Sequence, residues 1–417
     1  MNILVFLLLC LYFSIEKESR YIEFNIKCLE SNGYCVIPVS FGSNNELFQL
    51  QLDTTTSNTW IPSTKFDMTV PKYNISNSKY SKLTNQSIEI VDEDGIIYGK
   101  MGFDYIKLEN IYIDNYGFVL ANSHDKYFKD YPNGKLGLGY SQEKKDFHFI
   151  QKLKENEIID QELFTIDKFD EKLVIGKIPN YLLDLPSESC SLYDVSSLDP
   201  EYSQSWACEI YKIFCGVYIK TRTGLTFDKD GNIVPFEYKT VDFDKSKDVY
   251  GPAIFDCAYP YIRFPIEYLD YIKENLIMKF LKGSCSESID EDHSIYFICK
   301  KAYINLSYTY LQFFINRKMF YLLGNDLFKP INYAQYELLI RFSQKNNNVF
   351  ILGSPFLNNW ATVYDYEKEK ITFYGEYIIN YKWDWIGYKF LYYFGIGVII
   401  ALPIICIILI ICFCCKK

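Results

Sequence analysis

Short runs of alternating apolar and polar residues recur along this chain and predict a body built mainly of β-strands. They are separated by Gly, Asn, Asp and Pro, which favour turns. Asp94-Gly95 and Asp230-Gly231 are sequences typical of hairpin turns. The pattern is clearest in four segments, which we expect to be strands: 36–41, 48–52, 87–91 and 172–175.

Helical periodicity is found in only a few places. Apolar residues recur at helical spacing within 147–157, 265–281 and 334–342. Because the strand-like segments far outnumber these three, the sequence predicts an all-β fold with few helices.

The N-terminal apolar run covers residues 3–15 and is followed directly by charged residues. A helix that crosses a bilayer needs about 20 apolar residues, so this run is too short to span one. We therefore expect residues 1–19 to be a secretory signal peptide, although the basic N-terminal region and small-residue cleavage site of such peptides are missing.

The C-terminal apolar segment has no charged residue from 390 to 415. Its length predicts a transmembrane helix, with aromatic residues before it and Lys416 and Lys417 after it. The alternatives are a buried core helix and a GPI signal, for which no small-residue attachment site precedes the tail. An anchor here predicts a single-pass type I membrane protein of the secretory or endolysosomal pathway or the cell surface, with its body luminal or extracellular.

Composition excludes several classes of protein. With 417 residues, 49% of them hydrophobic and 18% aromatic, the chain is long and apolar enough for two domains with large cores. A formal net charge of −9 and the lack of a basic stripe argue against a nucleic-acid partner. Only three histidines are present, and they are scattered, so we expect no metal site.

Eight cysteines lie in the predicted luminal body, where an oxidising compartment favours disulfides. Cys28 with Cys35, and Cys285 with Cys299, are close enough in sequence to close short loops. The partners of three others stay open at this point: Cys190, Cys208 and Cys215.

Two aspartates follow strand-like segments in the two halves of the chain, Asp53 and Asp256. Each is followed, much further on, by an apolar-glycine element, at 135–139 and 351–354. This repeated order indicates an internal duplication. Glycine in such an element lets another backbone pass close to it. A pair of carboxylates, one from each half, is typical of general acid–base catalysis.

This ordered series resembles the pepsin-like aspartic proteases from about residue 21 to residue 374, and the membrane tail makes the chain similar to the plasmepsins of apicomplexan parasites. The resemblance implies a bilobal fold of two related β-barrel lobes, at 20–190 and 191–380, followed by the transmembrane helix at 390–415. It also implies a monomer without a cofactor, which binds a peptide or protein substrate in the cleft between the lobes.

The same resemblance implies an aspartic-type endopeptidase in which Asp53 and Asp256 share one proton. The ionised aspartate accepts a proton from a water molecule that attacks the peptide carbonyl, and the neutral one protonates the carbonyl oxygen. Of the supporting residues, Thr54 is expected to bind across to the opposite loop, Thr56 to hydrogen-bond Asp53, and Trp60 to lie beneath the flap.

Several positions depart from the pattern of the family. Thr55 and Ala258 replace the two motif glycines, and a Cβ there is expected to crowd or tilt the backbone amides that serve the carboxylates. Cys257 stands in place of a hydroxyl residue and is a weaker hydrogen-bonding group. Tyr259-Pro260 replaces small hydroxyl residues next to it.

The flap hairpin departs as well. Asp92 takes the position of the flap tyrosine, ahead of the turn glycine Gly95, and Tyr98 replaces that tyrosine only if the hairpin register slips. An acidic flap would raise the proton affinity of the two aspartates and move the activity optimum to higher pH.

These departures keep a second hypothesis open, in which the chain is a catalytically degenerate homologue that acts as a membrane-anchored peptide- or protein-binding module. A third, a β-rich adhesion or structural protein, accounts for the anchor but not for the paired aspartate motifs.

Overall fold

The computed structural model describes most of the chain between residues 19 and 380. The described residues are 19–29, 33–67, 69–92, 95–125, 133–141, 148–196, 198, 202–227, 233–241, 247–278, 281, 283–290, 293–304, 306, 309–316, 318–343, 348–375 and 378–380. The predicted transmembrane helix and nearly all of the predicted signal peptide lie outside these residues. Within them, no helix combines the length and apolar character needed to cross a bilayer.

Strands dominate the first half of the chain, as the alternating pattern predicts. The strands of this half are β1 (Ile22–Asn25), β2 (Lys27–Cys28), β3 (Cys35–Phe41), β4 (Glu46–Asp53), β5 (Trp60–Pro62), β6 (Lys82–Asp92), β7 (Gly95–Leu108), β8 (Ile111–His124), β9 (Lys135–Gly137), β10 (Leu163–Asp167), β11 (Lys172–Ile175) and β12 (Ser187–Ser191).

The second half is also mainly β. Its strands are β13 (Ala207–Phe227), β14 (Ile233–Val241), β15 (Lys247–Phe255), β16 (Ile262–Pro265), β17 (Cys285–Ile289), β18 (Ile295–Lys300), β19 (Thr309–Ile315), β20 (Lys318–Leu323), β21 (Phe328–Pro330), β22 (Gln335–Ser343), β23 (Phe350–Leu352), β24 (Ala361–Asp365), β25 (Lys370–Tyr374) and β26 (Ile378–Asn380).

The described helices are short. The α-helices are α1 (Phe149–Glu155), α2 (Leu269–Ile272), α3 (Gly324–Leu327) and α4 (Ser354–Leu357), with a 3-10 turn at Ile266–Tyr268 and a π-helical turn at Lys273–Met278 around α2. Two of the three predicted helices are thus confirmed. The third, at 334–342, is wrong: residues 335–342 belong to β22, which pairs with β16, β18 and β21. Pairing on both sides outweighs the local helical pattern.

Each half of the chain forms its own large sheet. In the first half, the strand order is β2-β3-β4-β9-β5-β8-β7-β6, and β3 also pairs with β7, which curls the sheet towards a barrel. In the second half, the main path is β17-β18-β22-β16-β23-β15-β13-β19-β20-β26, with β14 on β13 and β21 on β22. A third sheet, β1-β11-β10-β24-β25-β12, takes strands from both halves and joins them.

The predicted duplication is confirmed by the strand pairing around the two aspartates. β4 ends at Asp53 and runs parallel to β9, which lies antiparallel to β5. In the second half, β15 ends just before Asp256 and runs parallel to β23, which lies antiparallel to β16. Each aspartate therefore lies at the C-terminal end of a strand that pairs with an apolar-glycine strand. The two aspartates occupy equivalent positions in the two sheets.

Both predicted disulfides form, Cys28 with Cys35 and Cys285 with Cys299. Each joins residues that face each other on paired neighbouring strands, β2 with β3 and β17 with β18. A third disulfide links Cys190 with Cys208, a pairing that the sequence left open. Two further cysteines, Cys215 and Cys257, are buried thiols.

We expect a buried histidine, His148, to make the fold sensitive to acid. His148 caps α1 by accepting from the backbone N–H of Gln151, and burial lowers its pKa from 6.5 to about 4, against a hydrogen bond with the Gly139 backbone that raises it. The folded pKa lies below the unfolded one, so the unfolded chain binds the proton first as the pH falls. The stability contributed by neutral His148 is therefore present above pH 6.5 and is lost towards pH 4.

We expect this loss to be about 3 kcal/mol, which is the pKa difference converted to free energy. His148→Asn keeps a capping oxygen but does not titrate, so its free energy of unfolding should fall less over that pH range in urea titrations. The exposed His293, changed to Asn, is the matched control and should behave like the wild type. An equal loss in wild type and His148→Asn would contradict the assignment.

Candidate active site

Asp53, at the end of β4, is completely buried. Its Oδ1 accepts hydrogen bonds from the backbone N–H of Thr55 at 2.8 Å and from the Thr55 hydroxyl at 2.6 Å. The residue that replaces the motif glycine therefore adds a donor to the carboxylate and keeps the amide in place.

Asp256 follows β15 and is 2% exposed. Its Oδ1 accepts from the backbone N–H of Ala258 at 2.8 Å, which is equivalent to the bond that Thr55 makes to Asp53. The expectation that a Cβ at Thr55 or Ala258 would disturb these amides is thus wrong. Both residues keep slight solvent exposure, 8% and 7%, so their side chains have room beside the loops.

The two aspartate loops are held together by side chains that cross between them. The hydroxyl of Thr54 donates to the carbonyl of Phe255 at 2.7 Å and accepts from the backbone N–H of Cys257 at 3.0 Å. In the other direction, the thiol of Cys257 donates to the carbonyl of Leu52 at 3.1 Å. Thr54 thus makes the contact that the resemblance implied, and the thiol of Cys257 makes a cross-link despite its weaker hydrogen bonding.

The apolar-glycine elements pack directly against the two loops. A Cβ at Gly137 would come within 2.5 Å of the backbone of Ser57, and one at Gly353 within 2.3 Å of the carbonyl oxygens of Tyr259 and Tyr261. These contacts are too close for any side chain. The glycines in both halves are therefore required for the close approach that the sequence predicted.

Thr56 was expected to hydrogen-bond Asp53, but Thr55 makes that hydrogen bond instead. The hydroxyl of Thr56 lies 3.4 Å from Gln204 Oε1 and accepts from the backbone N–H of Asn58 at 3.1 Å. Gln204 Oε1 also accepts from the N–H and the hydroxyl of Ser57, at 3.0 and 2.9 Å. The expectation for Thr56 is wrong, because its hydroxyl contacts Gln204 and the hydroxyl that donates to Asp53 is that of Thr55. No feature of the sequence singles out Gln204.

The flap is the β6–β7 hairpin, with Gly95 at its turn in a left-handed backbone conformation, φ +136°. Trp60 is buried beneath it in a cluster with Phe66, Ile90 and Ile97. Tyr98 faces Glu89 across the hairpin and is 37% exposed. Asp92 pairs with Gly95 across the turn, and the aliphatic flap residues Ile90 and Ile97 pack with Trp60. The side chain of Asp92 lies outside the described residues.

A buried lysine contacts the first aspartate. Lys135, the first residue of β9, places its ammonium 2.9 Å from Asp53 Oδ2, and the two side chains are 2% and 0% exposed. Burial alone raises the pKa of Asp53, but the charge of Lys135 and the hydrogen bonds from Thr55 outweigh it and hold that pKa below its usual value. Asp53 is therefore a carboxylate with both oxygens engaged. A lysine inside an apolar-glycine run was the available signal in the sequence, and it was missed.

A second buried lysine supports the other aspartate loop. Lys168 Nζ donates to the carbonyls of Gly33 and Cys257, at 3.0 and 3.1 Å, and to the Ser354 hydroxyl at 2.7 Å. Burial lowers the pKa of Lys168 to about 8, against electrostatic interactions with Cys257 and Asp256, which raise it. Each aspartate loop is thus backed by one buried lysine: Lys135 contacts a carboxylate, and Lys168 contacts the loop backbone.

An open groove lies beside the first loop. A cavity of about 150 Å³ is lined by residues of that loop, the flap and the segment before β13: Thr55, Thr56, Asn58, Glu89, Ile90, Val91, Ser203 and Gln204. Ser203 and Gln204 also line a neighbouring cavity of about 320 Å³, which reaches Tyr140 and Tyr193. The groove therefore combines hydroxyl and amide groups from both halves of the chain with the underside of the flap.

Comparison with known proteins gives a consistent result. The sequence profile described as eukaryotic aspartyl protease matches residues 34–179. Plasmepsin IV of Plasmodium falciparum, in the sequences of two isolates, is 24% identical over 353 residues, which are 80% of this chain and 67% of that protein. Pregnancy-associated glycoprotein 1 of Sus scrofa is 26% identical over 110 residues, 24% of this chain and 28% of that protein.

Proposed function

We propose that this chain, which resembles the pepsin-like aspartic proteases and the plasmepsins among them, is an aspartic-type endopeptidase that uses Asp53 and Asp256. The observation that carries the proposal is the cross-linked pair of aspartate loops. Thr54 and Cys257 bind across, and the backbone amides of Thr55 and Ala258 hold one oxygen of each carboxylate. Preorganised donors of this kind fix the carboxylates before substrate arrives.

The reaction that this arrangement supports is hydrolysis by an activated water molecule. Asp53, as the carboxylate, accepts a proton from the water as its oxygen bonds to the peptide carbonyl carbon. Asp256, in its protonated form, donates a proton to the carbonyl oxygen. Transfer of a proton to the peptide nitrogen then lets the C–N bond break, which leaves a carboxylic acid and an amine. The protein supplies positioning and proton transfer, and no covalent intermediate is needed.

We propose that the substrate binds in the groove beside the first aspartate loop. An extended peptide between the flap and the first loop exposes its backbone N–H and C=O groups, and the hydroxyl and amide side chains along the groove match them. Val91, an exposed flap residue, supplies apolar contact on the same side.

A second candidate function, a peptide-binding module without catalysis, is favoured by one observation. Asp53 Oδ2 is occupied by the buried ammonium of Lys135, which weakens Asp53 as a base. Neither residue of this ion pair lines the groove, so peptide binding there does not require the ion pair to break.

The predicted location is part of the same proposal. Three disulfides support an oxidising compartment for the described body of the protein. We propose that residues 390–415 anchor this body to a membrane on its luminal or extracellular side.

The test is to incubate the purified full-length protein with a peptide library from acidic to neutral pH. Cleavage that pepstatin blocks and that is lost in Asp53→Asn is the expected result. Asp170→Asn, which removes an exposed carboxylate, is the matched control and should cleave normally. A protein that folds and binds peptides but cleaves none at any pH would instead establish the second candidate.

A further inference from the structure

We propose that Lys135 is a positioning residue that restrains the two aspartates: its ion pair fixes Asp53 as a carboxylate and cancels its charge, so that the pair does not share a proton in the usual way. The inference rests on the proposed endopeptidase function, because it concerns how strongly that site can act. It predicts that removing the lysine charge increases peptidase activity.

The ion pair between Lys135 and Asp53 follows from the position of Lys135 in the sheet. Lys135 faces Gln51 across the parallel pairing of β4 and β9 and Trp60 across the antiparallel pairing of β9 and β5. It is 1% exposed. An ammonium group buried to this degree requires a negative partner, and Asp53 Oδ2 at 2.9 Å provides one. The pairing of β4 with β9 thus places the Asp53 carboxylate in a buried ion pair with Lys135.

The consequence follows from the electrostatics of paired carboxylates. When two carboxylates lie close together, the charge of the first to ionise raises the pKa of the second, so that one proton stays in the site. If a cation cancels the first charge, this repulsion is weakened and the second carboxyl loses its proton at lower pH. Asp256 is then deprotonated over more of the pH range, and fewer molecules hold the acid that the reaction needs.

The other groups around the site do not reverse this effect. Burial raises the pKa of the Cys257 thiol to about 12 and that of Tyr364 well above its usual value, so both stay neutral. Lys168, behind the second loop, adds positive charge near Asp256 and acts in the same direction as Lys135. Glu89 of the flap lines the open groove, where solvent screens its charge. The upward shift in optimum pH expected from an acidic flap is therefore opposed by a buried cation in contact with Asp53.

The first measurement is the pH dependence of kcat/KM for wild type and Lys135→Met, which keeps the length of the side chain without its charge. We expect kcat/KM of the variant to rise about tenfold in mildly acidic solution, and the alkaline limb of its profile to move up by about one pH unit. Lys300→Met, which removes an exposed positive charge, should superimpose on wild type. Superimposable profiles for wild type and Lys135→Met would overturn the inference.

The second measurement does not depend on activity. In Lys135→Met, Asp53 is buried without its counter-ion and takes up a proton in the mildly acidic range, whereas wild-type Asp53 stays ionised. The variant should therefore lose stability against wild type as the pH rises from acidic to neutral, and this dependence should disappear when Asp53→Asn is added. A stability difference that is the same at every pH would overturn the inference.

The two measurements separate failure of the inference from failure of the proposed function. If no variant cleaves peptides but the pH-dependent stability difference is present and needs Asp53, the restraint by Lys135 is supported and the endopeptidase proposal fails. If peptides are cleaved but Lys135→Met changes neither the pH profile nor the stability difference, the endopeptidase stands and the inference fails.

Discussion

Asp256→Asn should lower kcat/KM for peptide cleavage by about 10²–10⁴-fold, the contribution typical of a positioned general acid or base. An asparagine side chain is nearly the same size and its oxygen still accepts from the backbone N–H of Ala258, so the loop should keep its shape. What is lost is the transferable proton that the carbonyl oxygen of the substrate receives. The measurement is steady-state cleavage of a library-selected peptide, made both in the wild-type background and in Lys135→Met, which extends the measurable range.

The control for this variant is Asp170→Asn, which changes an exposed carboxylate away from the groove. Unfolding in urea should show that Asp256→Asn is folded. If the folded variant cleaves peptide as fast as wild type, Asp256 is not the acid and the two-aspartate mechanism is wrong for this chain.

Trp206→Ala should destabilise the protein by about 3–5 kcal/mol, the range found for removing a large buried aromatic side chain. Trp206 is fully buried, and its indole N–H donates to the carbonyl of Leu138 at 2.8 Å. Its ring lies 4.7 to 6.2 Å from four other aromatic rings, those of Tyr140, Phe164, Tyr364 and Tyr366. These rings come from both halves of the chain, so the variant leaves a large cavity where the halves meet.

The same residue also connects the two aspartate loops through its backbone. The Trp206 N–H donates to the carbonyl of Thr54 at 3.4 Å, and its carbonyl accepts from the N–H of Phe255 at 2.9 Å. Urea unfolding should therefore show the lost stability, and kcat/KM of the folded fraction should fall as well. Trp206→Phe, which fills most of the cavity, should lose clearly less stability than Trp206→Ala. A loss below about 1 kcal/mol for Trp206→Ala would show that this cluster does not hold the halves together.

The local features of the fold could be predicted because they depend on neighbouring residues. The alternation within 36–41 and 48–52 predicted β3 and β4, and Asp94-Gly95 predicted the turn between β6 and β7. The two short-range disulfides followed from spacing and oxidising conditions. By contrast, 334–342 has a helical pattern but forms a strand, because partners distant in sequence pair with it on both sides.

The predictions about individual contacts in the site were less successful. Thr54 crosses to the second loop as the resemblance implied, but Thr56 binds Gln204, a residue from the other half of the chain. Which hydroxyl reaches Asp53 depends on this distant partner. The order of motifs carries no information about it.

By itself, the sequence determined most strands, the duplicated order of aspartate and apolar-glycine elements, and the resemblance to the aspartic proteases. Each of these features depends only on the order and spacing of residues along the chain. Only the tertiary structure decided the charge at the centre of the site. The parallel pairing of β4 with β9 brings Lys135 against Asp53 in a region without solvent. An ion pair between distant residues depends on packing and burial, since those set both the distance between the charges and the dielectric around them.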